Sequence, residues 1–179
     1  MPRRYRRRIV VRPKKRWATN FTNFTSDLIS VAPNAPGGFA TNLVQNAVQT
    51  SNPTPVVLKT GNFKIQGDVS LFNATGQAGS LNLCLYVMFL PQGIDILNGT
   101  QVKNMIELHP EWILTWKLVD IASLNSNAQN GFSFSSRLKR NLQSGDRVAL
   151  LALAETDLTL ATPQQLKVHA QCQYWTTTA

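Results

Sequence analysis

Apolar residues alternate with polar ones along several short stretches of this chain, and no other feature constrains its fold as strongly. In the first clear stretch the alternating apolar residues are Phe63, Ile65, Val69 and Leu71. The same alternation recurs in 81–89, 132–139 and 166–174. A period of two residues is that of a β-strand, whose successive side chains point to opposite faces. Gly- and Asn-rich clusters separate these stretches, which predicts many short strands joined by turns.

Two of the stretches also predict which side chains share a face. In 111–121 we expect a strand buried on both sides, with Trp112, Leu114, Trp116 and Leu118 on one face. In 132–139 we expect Phe132, Phe134 and Leu138 to lie opposite the polar Ser133, Ser135, Arg137 and Lys139. Only 41–48 and 100–108 have the composition of short helices, and both lie in connections. Many strands with almost no helix are typical of a β-sandwich or barrel.

The positive charge of the chain is confined to its beginning. Lys and Arg total 18 and Asp and Glu total 9, which gives a net charge of +9. Residues 1–16 hold nine of the cationic residues and no acidic one, so residues 17–179 sum to zero. We therefore divide the chain into an arginine-rich arm, 1–16, and a folded domain, 17–179. A neutral domain with a cationic arm predicts two separate tasks, of which the arm's is to bind a polyanion.

The beginning of the chain does not have the composition of a secretory signal or a membrane span. Ile9 to Val11 is too short for the apolar core of a signal peptide, and Pro2 and Pro13 oppose the amphipathic helix of a transit peptide. No run of 18 apolar residues occurs, so we expect no membrane insertion. Cys84 and Cys172 lie in apolar runs without metal-ligand spacing, which indicates buried free thiols in an intracellular protein.

The sequence predicts neither a catalytic site nor a cofactor or metal. His109 and His169 have no nucleophile or carboxylate near them in a catalytic pattern, and glycine-rich phosphate loops are missing. Glu107, His109 and Glu111 have a spacing that metal ligands can adopt, but we interpret them as a solvated loop. We therefore expect a protein that is not an enzyme.

The arm has the chemistry of a nucleic-acid ligand. Its cationic residues neutralise phosphates without reading sequence, and they are Arg3, Arg4, Arg6, Arg7, Arg8, Arg12, Lys14, Lys15 and Arg16. Tyr5 and Trp17 offer flat faces for stacking on unpaired bases, although Trp17 could instead pack onto the first strand. The arm's charge and proline content predict that it is largely disordered when free.

Two further basic clusters extend this prediction. Arg12, Pro13, Lys14, Lys15 and Arg16 also have the composition of a nuclear-import signal, which would require the host import machinery as a partner. Within the domain, Arg137 and Lys139 are expected on one strand face, where they could continue the nucleic-acid surface. The alternative for this pair is that their charge protects an edge strand from pairing with another chain.

The arm sequence "PRRYRRR" (2–8) followed by one all-β domain resembles the capsid proteins of small circular single-stranded DNA viruses, the circovirus-like group. The motif match rests on Arg3, Arg4, Arg6, Arg7 and Arg8. The resemblance implies a single eight-stranded jelly roll, that is, a two-sheet antiparallel sandwich. It also implies sixty copies in an icosahedral virion and an arm that faces the genome. The chain is shorter and its arm has fewer arginines than is usual in that group, which leaves the capsid of a small RNA virus or satellite virus open.

The expected function is therefore a structural capsid protein that packages single-stranded nucleic acid, in the virion and in the host nucleus during assembly. One alternative is a monomeric, non-specific nucleic-acid-binding protein with a β-sandwich body. Another is a jelly-roll enzyme or sugar-binding module. If copies do assemble, the apolar side of 100–108 either contacts a neighbouring copy or covers the core of its own domain.

Overall fold

The computed structural model describes residues 17–32, 35–48, 56–72, 80–96, 98–122, 129–156 and 164–178. They form nine strands, one α-helix and one short 3-10 turn at Pro110–Trp112. In chain order these elements are β1 Ala18–Thr25, β2 Ile29–Val31, β3 Gly37–Gln45, β4 Leu58–Phe72, β5 Ser80–Leu90, α1 Gly99–Leu108, β6 Ile113–Ala122, β7 Gln129–Leu142, β8 Arg147–Thr156 and β9 Gln164–Thr178. The boundary predicted between 16 and 17 stays a prediction, because 1–16 lie outside the described residues.

The strands form two antiparallel sheets that pack face to face. One sheet has the order β1-β9-β4-β7, and the three-residue β2 pairs with β9 beside β1. The other sheet has the order β3-β8-β5-β6. From β3 onward the chain crosses between the two sheets repeatedly, and among the described strands only β5 and β6 are consecutive in sequence and paired in one sheet. This is the strand order of a jelly roll, so the predicted all-β, eight-stranded fold is confirmed, with β2 as a small addition.

The main core fills the space between the sheets. Phe63 and Ile65 of β4 and Cys172 of β9 come from the five-stranded sheet, and all are at most 1% exposed. Leu83 and Leu85 of β5 meet them from the four-stranded sheet and are completely buried. The alternation read from the sequence therefore does predict the inward face of these central strands. Burial of these apolar side chains is the main stabilising contribution to the sandwich.

A second, smaller core lies on the outer face of the four-stranded sheet, where α1 covers it. Val102 of the helix packs there with the fully buried Met88 and Leu151. The helix begins at Gly99 because Asn98 caps it. The Asn98 side chain accepts a hydrogen bond from the Gln101 N–H at 2.9 Å, and the Gln101 side chain accepts one from the Asn98 N–H at 3.2 Å. The helix predicted in 100–108 is thus confirmed, and it covers the core of its own domain.

The second predicted helix, 41–48, is wrong. Thr41 to Gln45 belong to β3, which pairs with β8, and a register shift between Asn42 and Val44 places a bulge there. Leu43 and Val44 are both buried although they are adjacent. A bulge turns neighbouring side chains toward the same side, which disturbs the period of two and imitates a helical pattern.

The buried face predicted for 111–121 is also wrong. Leu114 is 5% exposed, but Trp116 and Leu118 are 59% and 46% exposed on the outer side of β6. The core residues from this strand are Val119 and Ile121 instead. The pairing of β6 with β5 shifts register between Val87 and Met88. Near Leu114 this shift changes which side chains of β6 point inward and which point outward.

Charge placed at Met105 is expected to destabilise the domain itself. Met105 is partly buried against the core under α1, so Met105→Glu would desolvate a carboxylate there. We expect a loss of about 1–3 kcal/mol in the free energy of unfolding, measured by urea denaturation. The matched control is Leu108→Glu, since Leu108 is 71% exposed at the end of the same helix. Equal stability of Met105→Glu and Leu108→Glu, with loss of assembly in the former, would instead assign this face to contacts between copies.

The thiol of Cys172 is expected to be unreactive in the folded chain. Cys172 is a free cysteine in the main core, and burial raises the pKa of its thiol to about 12. At pH 8 it therefore stays protonated, and the thiolate is the nucleophilic form. Alkylation at pH 8 should modify Cys172 only after denaturation. Rapid modification of Cys172 in the native chain would contradict its place in the core.

Candidate nucleic-acid interface

The predicted arm lies outside the described residues. Its predicted phosphate-binding, stacking and import residues therefore stay predictions; they are Arg3, Arg4, Tyr5, Arg6, Arg7, Arg8, Arg12, Pro13, Lys14, Lys15 and Arg16. The described chain begins at Trp17, one residue before β1. The position of Trp17 therefore fixes where the arm joins the domain.

Trp17 contacts a lysine from the far strand of the same sheet. The Lys139 Nζ lies 5.3 Å from the centroid of the Trp17 ring, in a cation–π contact. Trp17 is half-buried, whereas Lys139 is exposed. The observed partner of Trp17 is thus on β7 and not on the first strand, and stacking of Trp17 on bases stays a prediction. The arm consequently joins the domain beside Lys139.

A glycine that the sequence analysis did not single out makes room for this lysine. Gly61 of β4 lies opposite Lys139 of β7 and Trp175 of β9. A Cβ atom at Gly61 would lie 2.7 Å from the Lys139 Cγ, closer than van der Waals contact allows. The missing side chain therefore lets the stem of Lys139 lie against the β4 backbone. Only the pairing of β4 with β7 reveals this role.

The basic pair of β7 lies at a bulge. Phe63 pairs with Ser136 and Gly61 pairs with Lys139, so β7 has one more residue than β4 in this interval. The inward-facing Ser136 is buried, and its hydroxyl donates to the Leu114 carbonyl at 3.0 Å. Leu138 is 53% exposed, unlike the buried Phe132, and it lies in the interval where the register of β7 with β4 shifts.

Arg137 and Lys139 are both exposed, as a shared polar face requires. Their predicted role in nucleic-acid binding stays a prediction. Arg140, the last residue of the basic cluster, has a different role. Its Nη2 donates to the Glu111 carbonyl at 3.0 Å, and its guanidinium lies 5.9 Å from the Phe89 ring centroid. Arg140 thus ties β7 to the 3-10 turn.

Three further cations share the outer face of the five-stranded sheet. The register pairs Lys59 with Asn141, Lys64 with Ser135 and Ser70 with Lys167. These positions lie on the face of the sheet that is turned away from the inward Phe63, Ile65 and Leu71. The sequence analysis missed Lys59, Lys64 and Lys167 as site residues. Each occupies an ordinary polar position of an alternating strand, and only the pairing of separate strands brings them onto one surface.

A shallow groove crosses this outer face from one edge strand to the other. Phe21 of β1 lies at one end, and Ser133 and Ser135 of β7 lie at the other. Between them are Lys64 and Gln66 of β4 and Gln171 and Gln173 of β9. The Gln66 Nε2 donates to the Gln171 Oε1 at 3.1 Å, which orients both amides. Phe21 is 62% exposed, a large solvated area for an aromatic ring.

One histidine follows α1, and the other lies on the outer face of the five-stranded sheet. His109 stacks on Trp112 with ring centroids 3.8 Å apart, and its Nδ1 lies 3.2 Å from the Glu111 Oε1. His169 lies on the outer face with its Nδ1 2.9 Å from the Thr25 hydroxyl. Among the described residues, His, Cys, Asp and Glu side chains form no group of three or more that could hold a metal ion.

No helix within the described part of the chain is long and apolar enough to cross a membrane. No protein-family model matches the chain, and no curated protein matches it. Among solved structures, a chain of Desmodium yellow mottle tymovirus is similar over 89% of both chains, with 12% identity and a TM-score of 0.33. A chain of maize chlorotic mottle virus is similar over 86% of this chain and 92% of its own, with 10% identity and a TM-score of 0.33.

A third similar chain comes from infectious bursal disease virus strain Gt. It has 12% identity and a TM-score of 0.33, and the match covers 91% of this chain but 33% of the viral chain. At such identities and TM-scores we base the functional proposal on the residues of this chain alone.

Proposed function

We propose that this chain is the capsid subunit of a small virus of the circovirus-like group. Sixty copies would form an icosahedral shell, and the arm would package a single-stranded DNA genome without reading its sequence. The proposed role is structural and needs neither catalysis nor a cofactor. The proposed location is the virion, with passage through the host nucleus during assembly.

One observation carries this proposal: the whole excess of nine positive charges is joined to a jelly roll whose own residues sum to zero. A neutral domain allows many copies to lie side by side without strong mutual repulsion. Sixty arms would bring about 540 positive charges to one enclosed space, enough to neutralise many phosphates of a small genome.

The import signal fits the same proposal. Arg12 to Arg16 contain four cations around Pro13, and a virus that replicates circular DNA in the nucleus must deliver its capsid subunit there. The same cations would bind import factors first and phosphates afterwards. Fusing residues 1–17 to a fluorescent protein tests this part, since nuclear accumulation should disappear when Lys14, Lys15 and Arg16 are replaced by Gln.

The second candidate is a monomeric nucleic-acid-binding protein with the same arm. Only the charge of the arm supports this candidate, whereas the capsid proposal is supported by the neutrality of the domain as well. The third candidate, the capsid of a small RNA or satellite virus, shares the arm and the fold and differs in the genome.

Extraction of the nucleic acid that co-purifies with assembled particles separates these candidates. We expect material that resists nuclease in intact particles and, after extraction, is degraded by a DNase specific for single strands. Degradation by RNase alone would favour the RNA-virus candidate. Nuclease sensitivity without prior disruption would indicate surface-bound nucleic acid and contradict packaging.

A further inference from the structure

We infer that the outer face of the five-stranded sheet is a second binding surface for single-stranded nucleic acid, continuous with the arm. This inference rests on the proposed function and extends it from the arm to the folded domain. We call this surface the cationic face and define it by Lys59, Lys64, Arg137, Lys139 and Lys167. Its ligand is the sugar–phosphate backbone together with unpaired bases.

The charge of the folded domain is polarised. The cationic face carries five Lys and Arg residues, and Asp68 is the one acidic residue at its described strand positions. Because residues 17–179 sum to zero, the remainder of the domain holds the matching excess of acidic residues. A domain that is neutral as a whole thus presents one face with net positive charge, which attracts a polyanion and orients the subunit toward it.

The point where the arm joins the domain lies at this face. The chain enters β1 at Trp17, and Lys139 of the cationic face lies over the Trp17 ring. A strand of nucleic acid held by the arm therefore emerges at the corner of the sheet where Lys139 and its neighbour Arg137 are exposed. Lys59 lies on the adjacent strand, two residues from Gly61. Phosphates that leave the arm meet these cations next.

The groove in the middle of the face has the two kinds of contact that unpaired nucleic acid requires. Phe21 offers an exposed ring on which a base can stack, and Lys64 lies in the same groove as a phosphate ligand. The amides of Gln66 and Gln171 provide both donors and acceptors for base edges and sugars. A face that served solubility alone would need the lysines, but it would gain nothing from an exposed phenylalanine on the same face.

Trp175 extends the stacking surface toward the arm. It is 37% exposed on β9, and it lies opposite Gly61 of β4. Trp175 and Phe21 belong to adjacent strands, because β1 pairs with β9. The two rings thus form a short series of flat apolar surfaces beside the cations, which is the arrangement of sequence-tolerant single-strand binding.

The test uses the full-length chain at concentrations below shell assembly, with labelled oligo(dT) and an abasic polymer of the same length as probes. Lys64→Gln is expected to weaken binding of both probes and to reduce the slope of log K against log salt by about 0.7. Phe21→Ala is expected to weaken oligo(dT) binding about fivefold or more and to leave binding of the abasic polymer unchanged. Fluorescence anisotropy at several salt concentrations measures both effects.

Matched controls come from the other sheet. Lys117→Gln removes an exposed lysine of β6, and Trp116→Ala removes an exposed aromatic of the same strand, so neither should change binding. Thermal melting checks the fold of each variant, and Lys64→Gln keeps the test decisive if Phe21→Ala melts early.

The outcomes distinguish a failure of this inference from a failure of the proposed function. If the intact chain assembles and binds in a salt-dependent way, but Lys64→Gln and Phe21→Ala match their controls, the inference is overturned and the proposed function stands. If these variants lose shells while their binding is unchanged, the face contacts a neighbouring copy, which also overturns the inference. If the intact chain neither assembles nor binds oligo(dT), the proposed function has failed as well.

Discussion

Deletion of residues 2–16 is expected to remove most of the affinity for single-stranded nucleic acid, by about a thousandfold or more at low salt. The arm carries nine cations, and each phosphate contact contributes about 0.7 to the salt slope for single strands, so the slope should fall by about 6 if all nine engage. The truncated chain should keep its fold, because the core residues that the structure describes all lie beyond residue 17. Binding isotherms at several salt concentrations measure the loss.

The matched control is a full-length chain in which every arm arginine is replaced by lysine. It keeps the charge and should keep the salt slope, although it loses bidentate contacts to phosphate oxygens. The truncated chain should retain a weak, salt-sensitive affinity that depends on the cationic face. Full affinity in the truncated chain would show that the arm is not the main binding element.

Phe63→Ala is expected to lower the free energy of unfolding by about 3–5 kcal/mol. Phe63 is completely buried between the sheets, and its ring lies 6.0 Å from that of Tyr174 at an interplanar angle of 27°. Truncation there would remove apolar contacts with both sheets and leave a cavity. Because domains of this size are stable by about 5–15 kcal/mol, a large share of the stability would be lost. Urea denaturation measures the change.

Phe21→Ala is the matched control, since the same truncation occurs on the outer side of the same sheet. Phe21 is 62% exposed, and surface substitutions usually change stability by less than about 0.5 kcal/mol. The two variants should therefore separate, with Phe63→Ala losing stability and Phe21→Ala losing affinity for oligo(dT). Equal losses of stability would contradict the assignment of inner and outer faces.

The sequence predicted the fold correctly where the strands are regular. The alternation from Ile65 to Leu71 and in 166–172 predicted the inward faces of β4 and β9 because these two intervals pair with each other without a register shift. The errors lie at bulges, beside Asn42 in β3 and near Leu114 in β6. A bulge depends on the partner strand, so a local pattern of two residues cannot indicate it.

The residues of the candidate site also fall into those that the sequence predicted and those that only the strand pairing reveals. The arm was evident because its charges are contiguous in sequence, and Arg137 and Lys139 were found because they are two residues apart. Lys64 and Lys167 belong to strands separated by about ninety positions along the chain, and the register alone places them on one face. The role of Gly61 depends likewise on the strand opposite it, since a glycine in a strand has several structural explanations.

Sedimentation of the purified full-length chain tests the central claim most directly, because it measures particle mass without assuming a ligand. Sixty copies of a 19.9 kDa chain would give a protein shell of about 1.2 MDa, with additional mass and absorbance from packaged nucleic acid. We expect a discrete species of at least that mass at assembly concentrations, and its loss when residues 2–16 are deleted or packaged nucleic acid is withheld. A chain that sediments only as a monomer of about 20 kDa, with or without single-stranded DNA bound, would contradict the capsid proposal.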